Sequence, residues 1–300
     1  MSTAAIELTA VSKSFSRGEP VLRGVSLNIA RGEMVALIGA SGSGKSTMIR
    51  SIAGLVPIDQ GNGKIEIGGA TMQSNGRIDG SAKVIRSRVG VVFQQFNLVP
   101  RLSVLTNVCL GLLGQIPAGR ATLGRFTHEE KQRAMYALSR VRIAEHALKR
   151  GSELSGGQQQ RAAIARTLVQ GAETIIADEP IASLDPSSAR RVMDILSVLN
   201  REDGITVLVS LHQVEYALNF CPRTIALRNG AVVYDGPSKA LTVEFLAELY
   251  GADSEQLFLP GLGAAAREVA EEVPVPLHHP VLASQSVPAP FAFAEVRAAN

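Results

Sequence analysis

The chain contains no tryptophan, aromatics make up only 4% of it, and there are two cysteines among its 300 residues. Its core must therefore be aliphatic, drawn from the 46% of residues that are apolar, and the chain is long enough to bury a sizeable one. Cys109 and Cys221 lie in apolar surroundings without CxxC or Cys/His spacing. That pattern reads as buried free thiols in a reducing compartment, against a disulfide or a metal pair. No apolar run approaches the roughly eighteen residues of a membrane-spanning helix; the most apolar stretches are "TVLVSL" from Thr206 and "VCLGLLGQIP" from Val108. The first residues, "MSTAAIELTAVSKSF", lack the basic flank, apolar run and small-residue cleavage site of a secretory signal, so a cytoplasmic location is expected. Charge of one sign is missing too. Thirty Lys and Arg stand against 27 Asp and Glu, the basic residues are scattered, and no nucleic-acid partner is expected.

What is present is an alternation of strands and helices. Ile6 to Val11 and Val25 to Ile29 alternate apolar and polar around "SRGEP", which predicts antiparallel strands and a turn. "GEMVALIG" is a continuous apolar run, the mark of a strand buried on both faces, and it ends in a glycine-rich loop that opens a helix from Lys45 to about Ala53. A strand pair around Lys64 to Ile67 follows, then the buried strand of "RVGVVFQQFNLVP", which breaks at Gln94 into a mostly helical region reaching about Gln170. "TIIADEP" and "ITVLVSLH" read as two more buried strands separated by a helix from Pro186 to Asn200. This order predicts an α/β fold with a largely parallel sheet. Residues 260–300, with "VPVP" and "VPAPFAFA", are rich in proline and alanine and lack an amphipathic period. They are expected to be a disordered tail, with partner docking through "PFAF" as the alternative.

The chemistry begins at "GASGSGKST", Gly39 to Thr47, which satisfies G-x-x-x-x-G-K-[ST] at Gly39, Gly44, Lys45 and Ser46 between a buried strand and a helix. Its amides and the helix dipole suit a phosphate, Lys45 would bridge β and γ oxygens, and the Ser46 hydroxyl would bind Mg²⁺, so the expected ligand is a triphosphate. Asp178 and Glu179 close an apolar strand, where open α/β sheets place ligand-contacting groups. On its own such a pair caps the following turn; with the loop upstream, Asp178 is read as a Mg²⁺ ligand and Glu179 as general base. His212, at the tip of the next strand, is either a satisfied structural residue or an imidazole donating to the γ-phosphate.

A second anion-binding helix start appears at "ELSGGQQQRAAIARTLVQG". Ser155 is a good N-cap, Gln158 completes a capping box, and the helix is predicted to run to Gly171. Ile164 with Leu168, and Ala165 with Val169, form the stripe of a helix packed on one side. Capping explains Ser155 and Gln158 but not the second glycine, Gly157, whose missing side chain would admit a phosphate.

Taken in order, these motifs resemble the nucleotide-binding subunits of ATP-binding cassette (ABC) transporters, over about residues 5–250. The resemblance implies a P-loop NTPase fold with a RecA-like core sheet, an N-terminal antiparallel β subdomain and an inserted helical subdomain. The domain would be 5–259, its core 5–94 and 171–259, the helical part about 95–170. It places Gly39, Ser41, Gly42, Ser43, Gly44, Lys45, Ser46 and Thr47 in the Walker A loop, and Gln94 in the Q-loop touching Mg²⁺ and the attacking water. Ser155, Gly156, Gly157 and Gln158 fall in the signature, Asp178 and Glu179 in Walker B, Asp185 in the D-loop and His212 in the H-loop. Phe15 would stack on adenine, a contact of roughly 1 to 3 kcal/mol that is nearly blind to base identity. The bland alternatives are a core aromatic for Phe15 and a polar strand terminator for Gln94. The signature would complete the site of a second copy in a head-to-tail dimer.

"VVFQQFNLVPRLSVLTNV", "FTHEEKQRAMYALSRV", "ADEPIASLDP" and "LVSLHQVEYAL" look like the ATP-binding subunits of bacterial phosphonate importers. That likeness implies hydrolysis of ATP with Mg²⁺ at the cytoplasmic face of the inner membrane, on integral permease subunits and, indirectly, a periplasmic phosphonate-binding protein. An importer of phosphate or a polar amino acid, and a non-transport subunit of a phosphonate lyase complex, stay open. Ala40 stands where many relatives have proline, and the tail has no counterpart in the family's common core.

Overall fold

The computed structural model describes residues 4–15 and 18–251; the expectation of a disordered tail at 260–300 lies outside them. β1 (Ala4–Lys13) and β2 (Leu22–Ala30) pair antiparallel. Along β2 the apolar Leu22, Val25, Leu27 and Ile29 point inward while Arg23, Ser26 and Asn28 face solvent, the period-2 alternation of a half-buried sheet. β3 (Met34–Ile38) is buried at every position and runs into the glycine loop and α1 (Lys45–Ile52). β4 (Lys64–Ile67), β5 (Ala70–Ser74) and β6 (Arg77–Ile78) complete a five-stranded antiparallel sheet in the order β2-β1-β4-β5-β6. After α2 (Ala82–Arg86), β7 (Val89–Val92) returns to the core.

The helical region contributes α3 (Val104–Cys109), α4 (Ala118–Thr122), α5 (His128–Arg140) and α6 (Gly156–Val169). Then come β8 (Thr174–Asp178), α7 (Pro186–Asp203), β9 (Thr206–Ser210) and α8 (Val214–Phe220). β10 (Arg223–Arg228), β11 (Ala231–Pro237) and α9 (Val243–Tyr250) close the described chain. The second sheet has the order β11-β10-β3-β9-β8-β7, parallel throughout except for β11 at its edge.

Alternation along the central strands divides the interior in two. Val35, Leu37, Ile176 and Leu208 face one cluster, shared with α1 and the antiparallel sheet through Met48, Ile49, Ile6 and Ile65. Ala36, Ile38, Ile175, Ala177, Val207 and Val209 face the other, which continues without a break into Leu138, Val141 and Ile164 of the helical region. A sheet covered on both faces explains why its strands read as unbroken apolar runs. Cys109 and Cys221 are buried and free, with burial pushing their thiols up to about 11 and about 12. No helix of the described residues is long and apolar enough to cross a membrane.

Two details differ from the sequence reading. α6 is not packed on one side: Gln160, Ala162, Ala163, Ile164, Ala165 and Thr167 are all buried, because α3, α5, α7 and β7 surround it. Small side chains, not an amphipathic stripe, let it sit there. The β10–β11 hairpin is absent from the sequence reading although Asn229 and Gly230, both at positive φ, mark its turn.

Candidate nucleotide site

The site gathers where β3, β9, β8 and β7 end side by side, the crevice at the carboxyl ends of strands where open α/β sheets bind ligands. At the end of β3, Gly39 has φ 147° and Gly44 has φ 105°. A Cβ on Gly44 would come within 2.8 Å of the Val21 carbonyl, and one on Gly39 would strike that of Leu227. Only glycine fits either position. Gly44 begins α1 without a side-chain cap, so the first amides of that helix stay available to an anion. The Ser43 hydroxyl, buried in the same loop, has no hydrogen-bond partner among the described residues, and a phosphate oxygen would supply one. Ser41 and Gly42 are exposed and Thr47 is half-buried.

Lys45 is 4% exposed, and its Nζ donates to the carbonyls of Gly39 (2.7 Å) and Ala40 (3.1 Å). Burial lowers its pKa, and the nearby Glu179 and Asp178 carboxylates oppose that shift. An ammonium held this way is short of anionic partners, the condition a polyphosphate relieves.

Asp178 ends β8 as a buried carboxylate whose Oδ1 accepts from Ser46 Oγ (3.1 Å) and from Ser210 Oγ (3.0 Å). Ser46 and Asp178 thus present hard oxygen donors together, the set that suits Mg²⁺ alongside phosphate oxygens. The Ser210 hydroxyl also accepts the amide of Glu179 at 2.8 Å. Glu179 itself has φ 50°, a left-handed conformation that costs a non-glycine residue about 1 to 3 kcal/mol. It aims the side chain at His212, two residues past the end of β9, whose Nε2 lies 2.6 Å from Glu179 Oε1. One hydrogen-bonded line therefore runs from Ser46 through Asp178, Ser210 and Glu179 to His212.

The other expected residues fall around this line. Gln94, exposed just beyond β7, donates from Nε2 to Ser183 Oγ at 3.4 Å. Phe15 is 63% exposed with the Lys13 ammonium 5.3 Å from its ring centre, so the alternative of a core aromatic falls. Asp185 caps α7, accepting from the Ser188 amide (2.9 Å) and Ser187 Oγ (2.7 Å), bonds that hold its carboxyl well below the usual range.

At the second helix start the capping box is present. Ser155 Oγ accepts from the Gln158 amide, and Gln158 Oε1 accepts the Ser155 amide at 2.9 Å. Among the described residues no hydrogen bond links Ser155 or Gln158 to the Ser46–His212 line. The sequence reading left Gly157 to a phosphate, but the structure gives a reason within the chain. A Cβ on Gly157 would sit 2.7 Å from that of Ser188, and one on Gly156 would sit 3.2 Å from the Leu184 side chain. The glycines let α6 lie against the residues around Asp185.

Two residues of the site had no motif to announce them. Ser210 is fully buried and bridges the carboxylate pair. Tyr250, on α9, takes the Gly39 amide onto its hydroxyl at 3.3 Å, and burial raises its pKa to about 12.

Residues 22–182 match the family model described as ABC transporter. A protein of Cupriavidus pinatubonensis named phosphonates import ATP-binding protein PhnC is 53% identical over 91% of this chain and 96% of its own length. The protein of that name from Stutzerimonas stutzeri is 56% identical over 85% and 93%. Among solved structures, a dimeric ATP-binding cassette in a post-hydrolysis state with ADP and phosphate is 36% identical, with a TM-score of 0.68 over 79% of this chain and all of that one. A cassette from Clostridium perfringens that is part of an ABC transporter complex is 28% identical, with a TM-score of 0.69 over 87% and 98%. A match over more than half of the chain, joined to relatives identical at more than half of the aligned positions, leaves one conclusion: the chain belongs to the ABC transporter family.

Proposed function

We propose that the chain is the ATP-hydrolysing subunit that energises import of phosphonates through a membrane ABC transporter, turning ATP and water into ADP and phosphate in a head-to-tail pair of copies. The observation that carries the hydrolytic half is the line Ser46–Asp178–Ser210–Glu179–His212 across neighbouring strand ends. The transported class is supported by the names of relatives at 53% and 56% identity.

In this reading the amides of Gly39 to Thr47 and the start of α1 receive the phosphates, and Lys45 exchanges its loop carbonyls for β and γ oxygens. Ser46, Asp178 and Gln94 would hold Mg²⁺, which when bound neutralises charge on those oxygens. Glu179 Oε1 takes a proton from the water that attacks the γ-phosphorus in line; the new P–O bond forms as the bond to the β-phosphate oxygen breaks. His212 Nε2 orients Glu179 and reaches toward the γ-phosphate, and Phe15 stacks on adenine. Ser155, Gly156, Gly157 and Gln158 of a second copy, with its Asp185 nearby, close the far side of the phosphate. The paired subunits sit peripherally at the cytoplasmic face of the inner membrane on integral permease subunits, fed by a periplasmic phosphonate-binding protein. Nucleic acid has no part in it.

Growth on methylphosphonate as sole phosphorus source tests the whole reading. Cells lacking this chain should fail to grow, recover with the wild-type chain and not with Glu179→Gln. Unimpaired uptake in the deletion strain, or a loss confined to phosphate or amino acid uptake, would remove phosphonate as the substrate.

A further inference from the structure

Away from the nucleotide site, a cavity of about 450 Å³ opens between the turn after α5, the start of α6 and the middle of α7, and four arginines line it. Arg140 is neutralised by Asp203, at 2.8 and 3.0 Å, and by Glu202. Arg142, Arg161 and Arg191 are not. Among the described residues none of the three has a carboxylate within 4.0 Å. The acids on the same lining, Glu145 and Asp194, are fewer than these cations, and Glu145 lies 3.5 Å from His146.

Arg161 is the most enclosed of the three. Among the described residues its guanidinium donates only to carbonyls, those of Gly157, Val141 and Arg142. Burial lowers its pKa, the like charges of Arg191 and Arg142 push the same way, and Glu145 opposes them. Guanidinium groups gathered on one concave lining, with Arg142 and Arg191 exposed and Arg161 half-buried, repel, and an anion among them removes that repulsion.

The cavity also touches the start of α6. Gln158 lines it, and the capping box fixes the orientation of its amide: Oε1 accepts from Ser155, so Nε2 faces His146 Nε2 at 2.8 Å. His146 Nε2 must then accept, which leaves the proton on Nδ1, and that atom is buried without a partner among the described residues. A ligand drawing on His146 or Gln158 would act on the same bonds that hold Ser155.

We propose that this cavity binds a tetrahedral dianion of the phosphate and phosphonate class through Arg142, Arg161 and Arg191, and that its occupancy is linked through Gln158 to the signature helix. Three oxygens on one phosphorus match three separate forked donors, and charge-assisted bonds of this kind are the strongest an arginine makes. The site is independent of which solute the transporter carries.

The test titrates the full chain by calorimetry in low salt, with AMP-PNP and Mg²⁺ present so that the Walker loop and the γ position are filled. Inorganic phosphate and methylphosphonate are the separate probes. One equivalent per chain is expected, weakened tenfold or more in Arg142→Gln/Arg191→Gln and weakened again by added salt. Unchanged AMP-PNP affinity in that double variant reports an intact fold. Equal binding of the two probes assigns both free phosphate and phosphonate as occupants; preference for methylphosphonate assigns the phosphonate. No binding by the loaded wild type, or equal binding by the double variant, overturns the site. The link to α6 predicts that phosphate changes the steady-state hydrolysis rate at least twofold in the wild type beyond its effect in the double variant. Identical responses overturn the link.

Discussion

The two helix starts at Gly44 and Ser155 both have glycines beside them, ahead of the first and behind the second, yet they are built differently. α1 begins on a left-handed glycine with no side-chain cap, and the Ser43 hydroxyl beside it lacks a partner among the described residues. α6 begins with a capping box that takes the amides of Ser155 and Gln158, and its glycines pack on Leu184 and Ser188. The first start has no side-chain cap within the chain and the second has one. A single copy is thereby suited to holding a triphosphate at α1, while the start of α6 makes no hydrogen bond to that copy's own Ser46–His212 line among the described residues. The difference argues for binding by one copy and turnover by two.

Four variants break or sharpen that contrast. Glu179→Gln should lower hydrolysis by roughly 10³-fold while an ATP-dependent dimer persists, seen by phosphate release and size exclusion. A rate near that of the wild type would take the proton-accepting role away from Glu179. Ser155→Arg is expected to cost about 10²-fold in turnover and leave ATP affinity of the monomer unchanged; turnover that survives would show that α6 faces no phosphate. Ser210→Ala leaves the Glu179 amide without its acceptor, at about 1 to 3 kcal/mol in stability, and should reduce hydrolysis more than ATP affinity. Denaturant unfolding alongside kinetics checks it, and equal loss of kcat and binding would make Ser210 a packing residue alone.

The smallest effect is the most discriminating. Gly157→Ala drives a Cβ toward Ser188 and should destabilise by about 1 to 3 kcal/mol, with Ser188→Gly restoring the melting temperature in the double variant. If hydrolysis returns with stability, Gly157 is a glycine because of its neighbour in the chain. If stability returns and hydrolysis does not, the missing side chain also serves the phosphate.

What could be read before the structure was whatever sequence spacing alone expresses. The buried run into Gly39, the glycines ahead of Lys45 and the Ser155–Gln158 pair are local patterns, and each specifies its own backbone. The Asn229–Gly230 turn is equally local, but attention to continuous apolar runs passes over a hairpin whose outer strand is half exposed. Ser210 and Tyr250 are different in kind. Ser210 meets Asp178 across 32 positions and Tyr250 meets Gly39 across 211, so no window of sequence contains both partners. Gly157 shows the converse: a motif pointed to the right residue and the packing reason lay on another helix.

Tyr250 carries a consequence for how portable such a site is. The matched family segment ends at residue 182, before β9, His212 and α9 have been made. Yet the first amide of the phosphate loop is held by a hydroxyl from the last helix described. On a ribosome the loop would emerge long before the group that steadies it. The motif is contiguous, but the bond that steadies its first amide forms only when α9 docks, so the loop waits on a helix made long after it.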